Sequence, residues 1–418
     1  MRMKFSRSSQ LVLVAAASLV AASLITACET LTVDFVFVAS SRAAGANNYG
    51  EIDVFEINSE SGRMRQIPTS PFPSEGRNPV AEAVSADDQN LFVVNHDDNT
   101  IVQFIIGNDG KLYPYNTVNT PGIFPLAIAT SKSNVFVVDT YQPLPLCSPA
   151  DPCSGSIAVY PLTAATSSTP IGLGTPATNP AVNAQYWPLT LTGANASHVI
   201  VPTAVNVSAS GAYVYVTAYD SSVTPSAGYV FGFSVGSGGA LTAVPGSPFA
   251  AGIQPSAIAS DAKSAFVYVT DSVRGNVLGY SVSATTGTAG ALTALSGSPY
   301  PAGNDPTGVV VDPSYAYAYV SNSTDATVTA YSMSSTGVLT RINSYATGLQ
   351  PVAIGIDPST NHFLFTVNFL DNTVSDFELS TTAGTLLDAQ FSPFPTNAQP
   401  VAAAAIPHNG TGGGVGSH

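Results

Sequence analysis

His96 is the residue of this sequence best placed to do acid–base chemistry. It precedes Asp97 and Asp98, and it is the only one of the five histidines that stands beside two carboxylates. An imidazole can take a proton from water and so activate the water for attack on a carbonyl carbon. Arg77 or Arg274 could stabilise the resulting oxyanion or bind a carboxylate of the substrate. The predicted catalytic residues are His96, Arg77, Arg274 and Asp271.

The carboxylates allow a second kind of site. Asp97, Asp98 and Asp305 are candidates, with Asp271, to gather a Ca²⁺ ion, since hard cations prefer several oxygen ligands. The plainer alternative is that His96 is solvated, that the arginines pair with nearby acids and that the aspartates are scattered over the surface. The sequence has no EF-hand loop, HExxH, Walker loop or CxxC motif. We therefore expect no cofactor, with Ca²⁺ as the alternative.

Internal repeats indicate which elements carry these residues. One unit recurs: a strand led by proline, a Tyr/Phe-Val-Thr/Asn strand, a strand ending in Tyr or Phe, and a Gly-x-Leu-Thr segment. The leading prolines are Pro79, Pro125, Pro202, Pro255, Pro306, Pro351 and Pro400. Four short strands of alternating polarity per unit predict a small antiparallel sheet. Seven units predict an all-β, seven-bladed β-propeller, in which each sheet is stable only against its neighbours.

The two ends of the chain predict how the ring closes. The proline strand Pro400–Ile406 has no second strand after it, and the strand Phe35–Val38 has no proline strand before it. We expect the C-terminal strand to become the innermost strand of the first blade, because this arrangement leaves no free edge. The propeller then spans residues 34–407, and a Gly-rich tail, 408–418, is expected to be disordered.

One face of this propeller collects the predicted site. The loops before the innermost strands and those between the second and third strands share that face, around the central channel. The polar residues before the prolines could line a ligand cavity, but their recurrence favours hydrogen bonds that hold neighbouring loops together. These residues are Asn78, Gln254, Asp305, Gln350 and Gln399. A catalytic centre is asymmetric, so His96, the only histidine expected on this face, is more informative.

Two strands carry a family resemblance. Tyr213–Thr217 reads YVYVT and Phe266–Asp271 reads FVYVTD, and both are similar to the YVTN repeat. With Gly-x-Leu-Thr and with Gly246–Phe249, these motifs resemble the lactonase-like propellers over roughly residues 34–407. That family includes cytoplasmic 6-phosphogluconolactonases, other hydrolases of lactone rings and surface-exposed YVTN proteins without established chemistry. The resemblance implies the fold, and it maps no catalytic motif onto this chain residue by residue.

The N-terminus predicts export. Basic residues precede an apolar run from Leu11 to about Ala27, which is the layout of a secretory signal over residues 1–27. Its end, Leu24 to Cys28, resembles the lipobox of bacterial lipoproteins, which implies cleavage before Cys28 and a lipid on its thiol. The alternative is a transmembrane anchor, for which the apolar run is marginally short. We expect residues 28–33 to form a tether and the protein to be anchored to the cell envelope, in the periplasm or at the cell surface.

A longer insertion, about residues 140–200, separates two of the repeats. Cys147 and Cys153 lie in it, and an oxidising compartment favours a disulfide between them over a metal pair. Trp187 lies in the same insertion, which we expect to form a loop or cap over one face. This tryptophan could be a platform for a ligand, or it could pack against the propeller.

The negative net charge of the chain limits the classes of partner that it can bind. The net charge is −14, or −17 without Arg2, Lys4 and Arg7 of the leader, and no Lys or Arg occurs between Lys132 and Lys263. Binding of nucleic acid and electrostatic docking on anionic lipid both need basic patches. We therefore expect no nucleic-acid partner, a monomer attached to the membrane by its lipid, and an unknown small molecule or envelope protein as ligand.

Two functions compete at this point. The first is a binding or scaffold module of the cell envelope, and the second is a lactone hydrolase. Export and acidity favour the scaffold, because a phosphorylated sugar lactone is cytoplasmic and anionic. An enzyme would require His96 and Arg77 or Arg274 to converge at one pocket, whereas a scaffold predicts that they are dispersed.

Overall fold

Runs of β-branched and aromatic residues, separated by turns rich in glycine, proline and asparagine, form the strands of this protein. The computed structural model describes residues 32–145, 147–164, 170–314 and 316–408, so the leader, Cys28 and most of the glycine-rich tail lie outside the described residues. Two short 3-10 helices, Gly193–Asn195 and Ser237–Gly239, accompany the strands. Within the described ranges no helix is long and apolar enough to cross a membrane.

The strands form seven antiparallel sheets, the blades, each with four or five strands. Blade 1, from its innermost strand outwards, contains β33 (Pro400–Pro407), β1 (Thr32–Ala44), β2 (Tyr49–Asn58), β3 (Met64–Gln66) and β4 (Phe72–Pro73). Blade 2 contains β5 (Pro79–Val84), β6 (Asn90–Asn95), β7 (Thr100–Ile106) and β8 (Leu112–Asn119). Blade 3 contains β9 (Ile123–Thr130), β10 (Asn134–Tyr141), β11 (Ser156–Thr163), β12 (Gly172–Leu173) and β13 (Trp187–Pro188). Blade 4 contains β14 (Ile200–Val207), β15 (Tyr213–Asp220), β16 (Ala227–Val235), β17 (Leu241–Ala243) and β18 (Phe249–Ala250).

The last three blades repeat the same plan. Blade 5 contains β19 (Pro255–Ser260), β20 (Phe266–Asp271), β21 (Asn276–Val282), β22 (Leu292–Ala294) and β23 (Tyr300–Pro301). Blade 6 contains β24 (Pro306–Val311), β25 (Tyr317–Asn322), β26 (Thr327–Met333) and β27 (Leu339–Ala346). Blade 7 contains β28 (Pro351–Ile356), β29 (Phe363–Asn368), β30 (Thr373–Leu379), β31 (Leu386–Asp388) and β32 (Phe394–Pro395). Each innermost strand contacts the innermost strands of both neighbouring blades, so the predicted seven-bladed propeller is confirmed.

The ring closes between the two ends of the chain, as the incomplete repeats predicted. β33 pairs antiparallel with β1, with Ile406 opposite Phe35 and Ala403 opposite Val38. Blade 1 therefore takes its innermost strand from the C-terminus and its other strands from the N-terminus. Each of the seven blades in the described structure therefore has an innermost strand, and the ring of innermost strands is continuous.

The hydrophobic core lies between adjacent blades, because alternate residues of each strand face opposite sides. In β1, Phe35 and Phe37 pack with residues of blade 2, whereas Val36 and Val38 pack with residues of blade 7. Every blade thus buries both faces against its neighbours.

The repeated Gly-x-Leu segments also join neighbouring blades. The hydroxyl of Tyr268 in blade 5 donates to the carbonyl oxygen of Gly337 in blade 6 at 2.6 Å, and Tyr215 donates to Gly290 in the same way at 2.8 Å. Tyr215 and Tyr268 therefore need no role in ligand binding to explain their presence on strands.

The insertion adds strands to blade 3. It supplies the two short outer strands β12 and β13, and it holds the disulfide between Cys147 and Cys153. Trp187 is only 6% exposed, and its indole N–H donates to the carbonyl oxygen of Leu241 in blade 4 at 3.0 Å. Of the two roles considered for Trp187, packing against the propeller is the one that the structure supports.

Candidate functional site

The residues before the innermost strands and those between the second and third strands share one face of the ring, which we call the front face. Pairing of Pro79 with Asn95 and of Asn95 with Thr100 places both kinds of loop of blade 2 at this end of the sheet. The same registers recur in the other blades, for example Pro306 with Asn322.

The recurrent polar residues of this face hold loops together. The residue before the proline contributes its carbonyl oxygen, which accepts the N–H that follows the second strand; Asp305, for example, accepts from Ser323 at 2.8 Å. The last residue of the second strand contributes its side chain, so that Asn322 accepts the N–H of Gly303 at 2.9 Å. The expected tie between loops is therefore present, but the backbone of the residue before the proline makes it more often than its side chain.

Asp271 and Arg274 belong to this recurrent scaffold in blade 5. Asp271 is fully buried and accepts the N–H groups of Ile253 at 2.8 Å and Gln254 at 3.2 Å. The Arg274 side chain is 59% exposed, and its Nε lies 4.0 Å from Asp271 Oδ2. Asp271 is thus used structurally, and Arg274 is the group of this pair that a ligand can reach.

Arg77 is held by the loop that contains His96. Its Nε donates to Asp98 Oδ1 at 2.6 Å, and its backbone N–H donates to Asp98 Oδ2 at 2.8 Å. The hydrogen bond and the charge of Asp98 raise the pKa of Arg77 above its ordinary value. The guanidinium remains 53% exposed. It lines an open groove of about 430 Å³ with Tyr49, Glu75 and Asp98.

His96 is oriented by a carboxylate and by an aromatic ring. Its Nδ1 lies 2.7 Å from Asp97 Oδ1, and its ring stacks on Phe124 with centroids 4.5 Å apart. Although burial raises the pKa of Asp97, the hydrogen bonds from His96 and from Asn78 lower it overall. The imidazole is 29% exposed. Such a ring, fixed at Nδ1, presents Nε2 as its reactive nitrogen.

Phe124 has an unusual backbone conformation for an aromatic residue. It occupies the position before the leading proline of blade 3 with φ of 57°, which bulky residues rarely adopt. The equivalent residues Asn78, Asp305, Gln350 and Gln399 have φ between 54° and 62°. The turn therefore imposes the conformation, and blade 3 places an aromatic ring where five other blades place a polar side chain.

A second histidine–carboxylate pair lies on the same face. His198 Nδ1 lies 2.6 Å from Asp220 Oδ2, with His198 23% exposed and Asp220 2% exposed. The expectation that His96 is the only histidine of the front face is therefore wrong. Sequence analysis missed His198 because it assigned the residue to the insertion, whereas β14 begins two residues later, at Ile200, and pairs with Asp220.

The predicted catalytic residues fall into two groups. Arg77 and His96 are brought together in blade 2 by the acids Asp98 and Asp97, while Asp271 and Arg274 lie in blade 5, three blades further around the ring. The calcium candidates are likewise spread over blades 2, 5 and 6. Among the described residues, no cluster of three or more His, Cys, Asp or Glu side chains is arranged to hold a metal ion.

Comparison with known proteins identifies similar molecules. The family model described as "Lactonase, 7-bladed beta-propeller" matches residues 47–148 and 226–399. A proposed 6-phosphogluconolactonase from Bacteroides fragilis is 18% identical with a TM-score of 0.67, and the match covers 90% of this chain and 98% of the other. The periplasmic gluconolactonase of Pseudomonas aeruginosa is 17% identical with a TM-score of 0.67, covering 90% and 99%. No curated protein sequence matches the chain.

Proposed function

Because the chain belongs to the family of seven-bladed β-propeller lactonases, we propose that it hydrolyses a lactone ring at the front face. The observation that carries the proposal is the presence there of histidines whose Nδ1 is hydrogen-bonded to an aspartate. Family membership supports this function more than the envelope scaffold favoured by composition. The similar solved structures, at 18% and 17% identity, support the fold of this chain alone.

The proposed reaction needs a base and a stabilised oxyanion. A neutral imidazole Nε2 takes a proton from water, and the water oxygen attacks the lactone carbonyl carbon. The bond between that carbon and the ring oxygen then breaks, and the imidazolium returns the proton to the departing oxygen. The product is a hydroxy acid.

His96 and Arg77 are our candidates for the substrate contacts that blade 2 makes. The exposed guanidinium can donate hydrogen bonds to a carbonyl oxygen as negative charge develops on it. Arg274 is the corresponding cation of blade 5, and Asp271 holds the loop in front of it. His96 is one of two histidines of the face that could serve as the base.

The decisive test is hydrolysis of a panel of aldonolactones and simple alkyl lactones by the purified chain without its leader. We expect turnover by the wild type and a reduction of about tenfold or more in kcat/KM for His96→Ala and for Arg77→Ala. His362→Ala is the matched control, since His362 is an exposed histidine at the opposite end of its blade. Absence of turnover on the whole panel would return the scaffold function to first place.

We also propose that the protein acts outside the cytoplasm, attached to the envelope through Cys28. The sequence of the leader supports this placement. Replacement of Cys28 by Ser should release the protein from the membrane fraction. Continued attachment of that variant would instead indicate an uncleaved membrane anchor.

A further inference from the structure

Blade 4 departs from an arrangement that five other blades share at the front end of the second strand. In five blades a glycine three residues before the leading proline lies against the second-strand side chain that pairs with that proline. Asp271, for instance, is so close to Gly252 that a Cβ there would lie 2.1 Å from Oδ2. In blade 4 that position is Val199, the leading proline Pro202 pairs with Ala218, and Asp220, two residues further along β15, bonds the ring of His198.

The structure holds His198 firmly at its backbone. Its N–H donates to the carbonyl oxygen of Asn195 at 3.0 Å, and its own carbonyl oxygen accepts the hydroxyl of Ser154 at 3.1 Å. Ser154 in turn accepts the N–H of Ile200 at 3.0 Å. The histidine is therefore fixed between blade 3 and blade 4, and its ring is hydrogen-bonded to Asp220.

Asp220 is well suited to orient an imidazole. Oδ1 accepts the N–H of Ser222 at 2.9 Å, which leaves Oδ2 for His198 Nδ1. The carboxylate is almost completely buried, whereas Asp97 beside His96 is 46% exposed and shares its Oδ1 with Asn78. In the described part of the chain no hydrogen-bond partner faces His198 Nε2, and the ring is 23% exposed.

We infer that His198 is the catalytic base of the proposed lactone hydrolysis, that Asp220 is its positioning residue, and that the substrate is an uncharged lactone. This inference rests on the proposed function but not on the role of His96. A buried aspartate on Nδ1 keeps the proton on that nitrogen and leaves Nε2 free to accept one from water.

The charge of the surrounding sequence supports the substrate class. No Lys or Arg occurs between Lys132 and Lys263, which includes all of blade 4 and β11 to β13 of blade 3. Recognition of a phosphate would need a cation or several N–H donors at this position. The hydroxyl of Ser154 already donates to the carbonyl oxygen of His198, and Ser222 Oγ accepts the N–H of Val199.

The proton that His198 takes from water is returned to the product, so the reaction needs no other acid or base. Nε2 of His198 accepts one proton from water while the water oxygen bonds to the carbonyl carbon. The ring carbon–oxygen bond then breaks, and the same proton passes from Nε2 to the departing oxygen. Asp220 keeps its hydrogen bond to the Nδ1–H group throughout and stabilises the transient imidazolium.

The test compares His198→Ala, Asp220→Asn and His96→Ala on glucono-1,5-lactone, its 6-phosphate and p-nitrophenyl acetate. We expect His198→Ala to lose at least about 100-fold in kcat and to recover part of it when free imidazole is added. Asp220→Asn should also lose activity and should lose the downfield Nδ1–H resonance of His198 in the NMR spectrum. The uncharged lactone should be turned over at least about tenfold more efficiently than its phosphate.

The outcomes separate the two proposals. If lactone hydrolysis survives in His198→Ala, or disappears without imidazole rescue, the role of His198 is refuted while lactone hydrolysis stands. Preference for the 6-phosphate overturns the substrate class. If the wild type cleaves only p-nitrophenyl acetate, and does so through His198, the base is supported and the lactone function fails. A wild type inactive on all three compounds overturns both.

Discussion

Among single residues, Glu82 is a buried carboxylate at a position where the other blades have an aliphatic side chain. It lies on β5, three residues after the leading proline, and both of its carboxylate oxygens are buried without a hydrogen-bond partner of good geometry. Burial raises the pKa of this carboxyl group to about 8, although the N–H groups of Ala39 and Ala404 oppose the shift. The equivalent residues of the other blades are all aliphatic: Ile128, Val205, Ile258, Val309, Ile354 and Ala403.

Replacement of Glu82 by Gln should flatten the pH dependence of stability. The pKa in the folded state, about 8, lies above the ordinary value of 4.5, so the unfolded chain releases its proton first as pH rises. The wild type therefore loses stability between about pH 4.5 and pH 8, by an amount on the order of a few kcal/mol from this group. Urea unfolding at pH 5 and pH 8 measures the loss, which should be smaller in Glu82→Gln.

Glu82→Leu provides the matched comparison. A leucine restores the apolar character of the six other blades and should be more stable than the wild type at pH 8. If both variants are less stable than the wild type at pH 8, the carboxylate has a partner or a function that the fold alone does not explain.

The sequence predicted only part of the candidate site, because some of its residues are brought together by partners that are distant in the chain. His96 could be found because it adjoins two acids in a loop whose place follows from the repeat. His198 could not be placed, because its partner Asp220 is 22 residues away and blade 4 lacks the usual glycine before the proline. The stacking of Phe124 on His96 joins blades 2 and 3, and it depends on how these two blades pack rather than on the local sequence of either residue.

At the scale of the element, the turn of a Gly-x-Leu segment can require glycine for two reasons. Gly337 has φ of 80°, and a Cβ there would lie 2.5 Å from Cδ1 of Phe266 in the preceding blade. Both the conformation and the lack of space demand glycine at this turn. Gly287 has φ of 90° but no neighbouring atom within 4 Å of such a Cβ.

Gly337→Ala should therefore destabilise the protein more than Gly287→Ala. The backbone conformation alone costs an alanine about 1–2 kcal/mol, and contact with Phe266 adds about 1–3 kcal/mol in the first variant. Chemical denaturation of the two variants measures the difference. Equal destabilisation would mean that blades 5 and 6 separate easily at this point.

The strands were the most predictable elements. Prolines, YVTN-like strands and Gly-x-Leu turns placed nearly all innermost, second and third strands within a few residues. The outer strands of blade 3 were not predicted, because Gly172–Leu173 and Trp187–Pro188 have two residues each and no periodicity can be read from them. Their position depends on contacts with β11 rather than on local sequence.

At the scale of the whole molecule, the propeller depends on its C-terminal strand. β33 pairs with β1 and contacts the innermost strands of blades 2 and 7. Ile406 is buried in the core between blades 1 and 2. Removal of β33 would expose the inner edge of β1 and parts of two hydrophobic clusters.

A chain that ends at residue 399 should therefore fail to unfold cooperatively, whereas a chain that ends at His408 should melt at the same temperature as the full chain. The first lacks all of β33, and the second keeps every described strand. Circular dichroism during heating, together with binding of a hydrophobic dye, distinguishes the two results. Cooperative melting of the shorter chain would show that the ring is stable when open.

The position of β33 also fixes when the molecule can be finished. Synthesis runs from the N-terminal side to the C-terminal side, so blade 1 lacks its inner strand until residues 400–407 have been made. At most six blades can be complete before then. A growing polypeptide of this design therefore remains an open row of blades until β33 has left the ribosome.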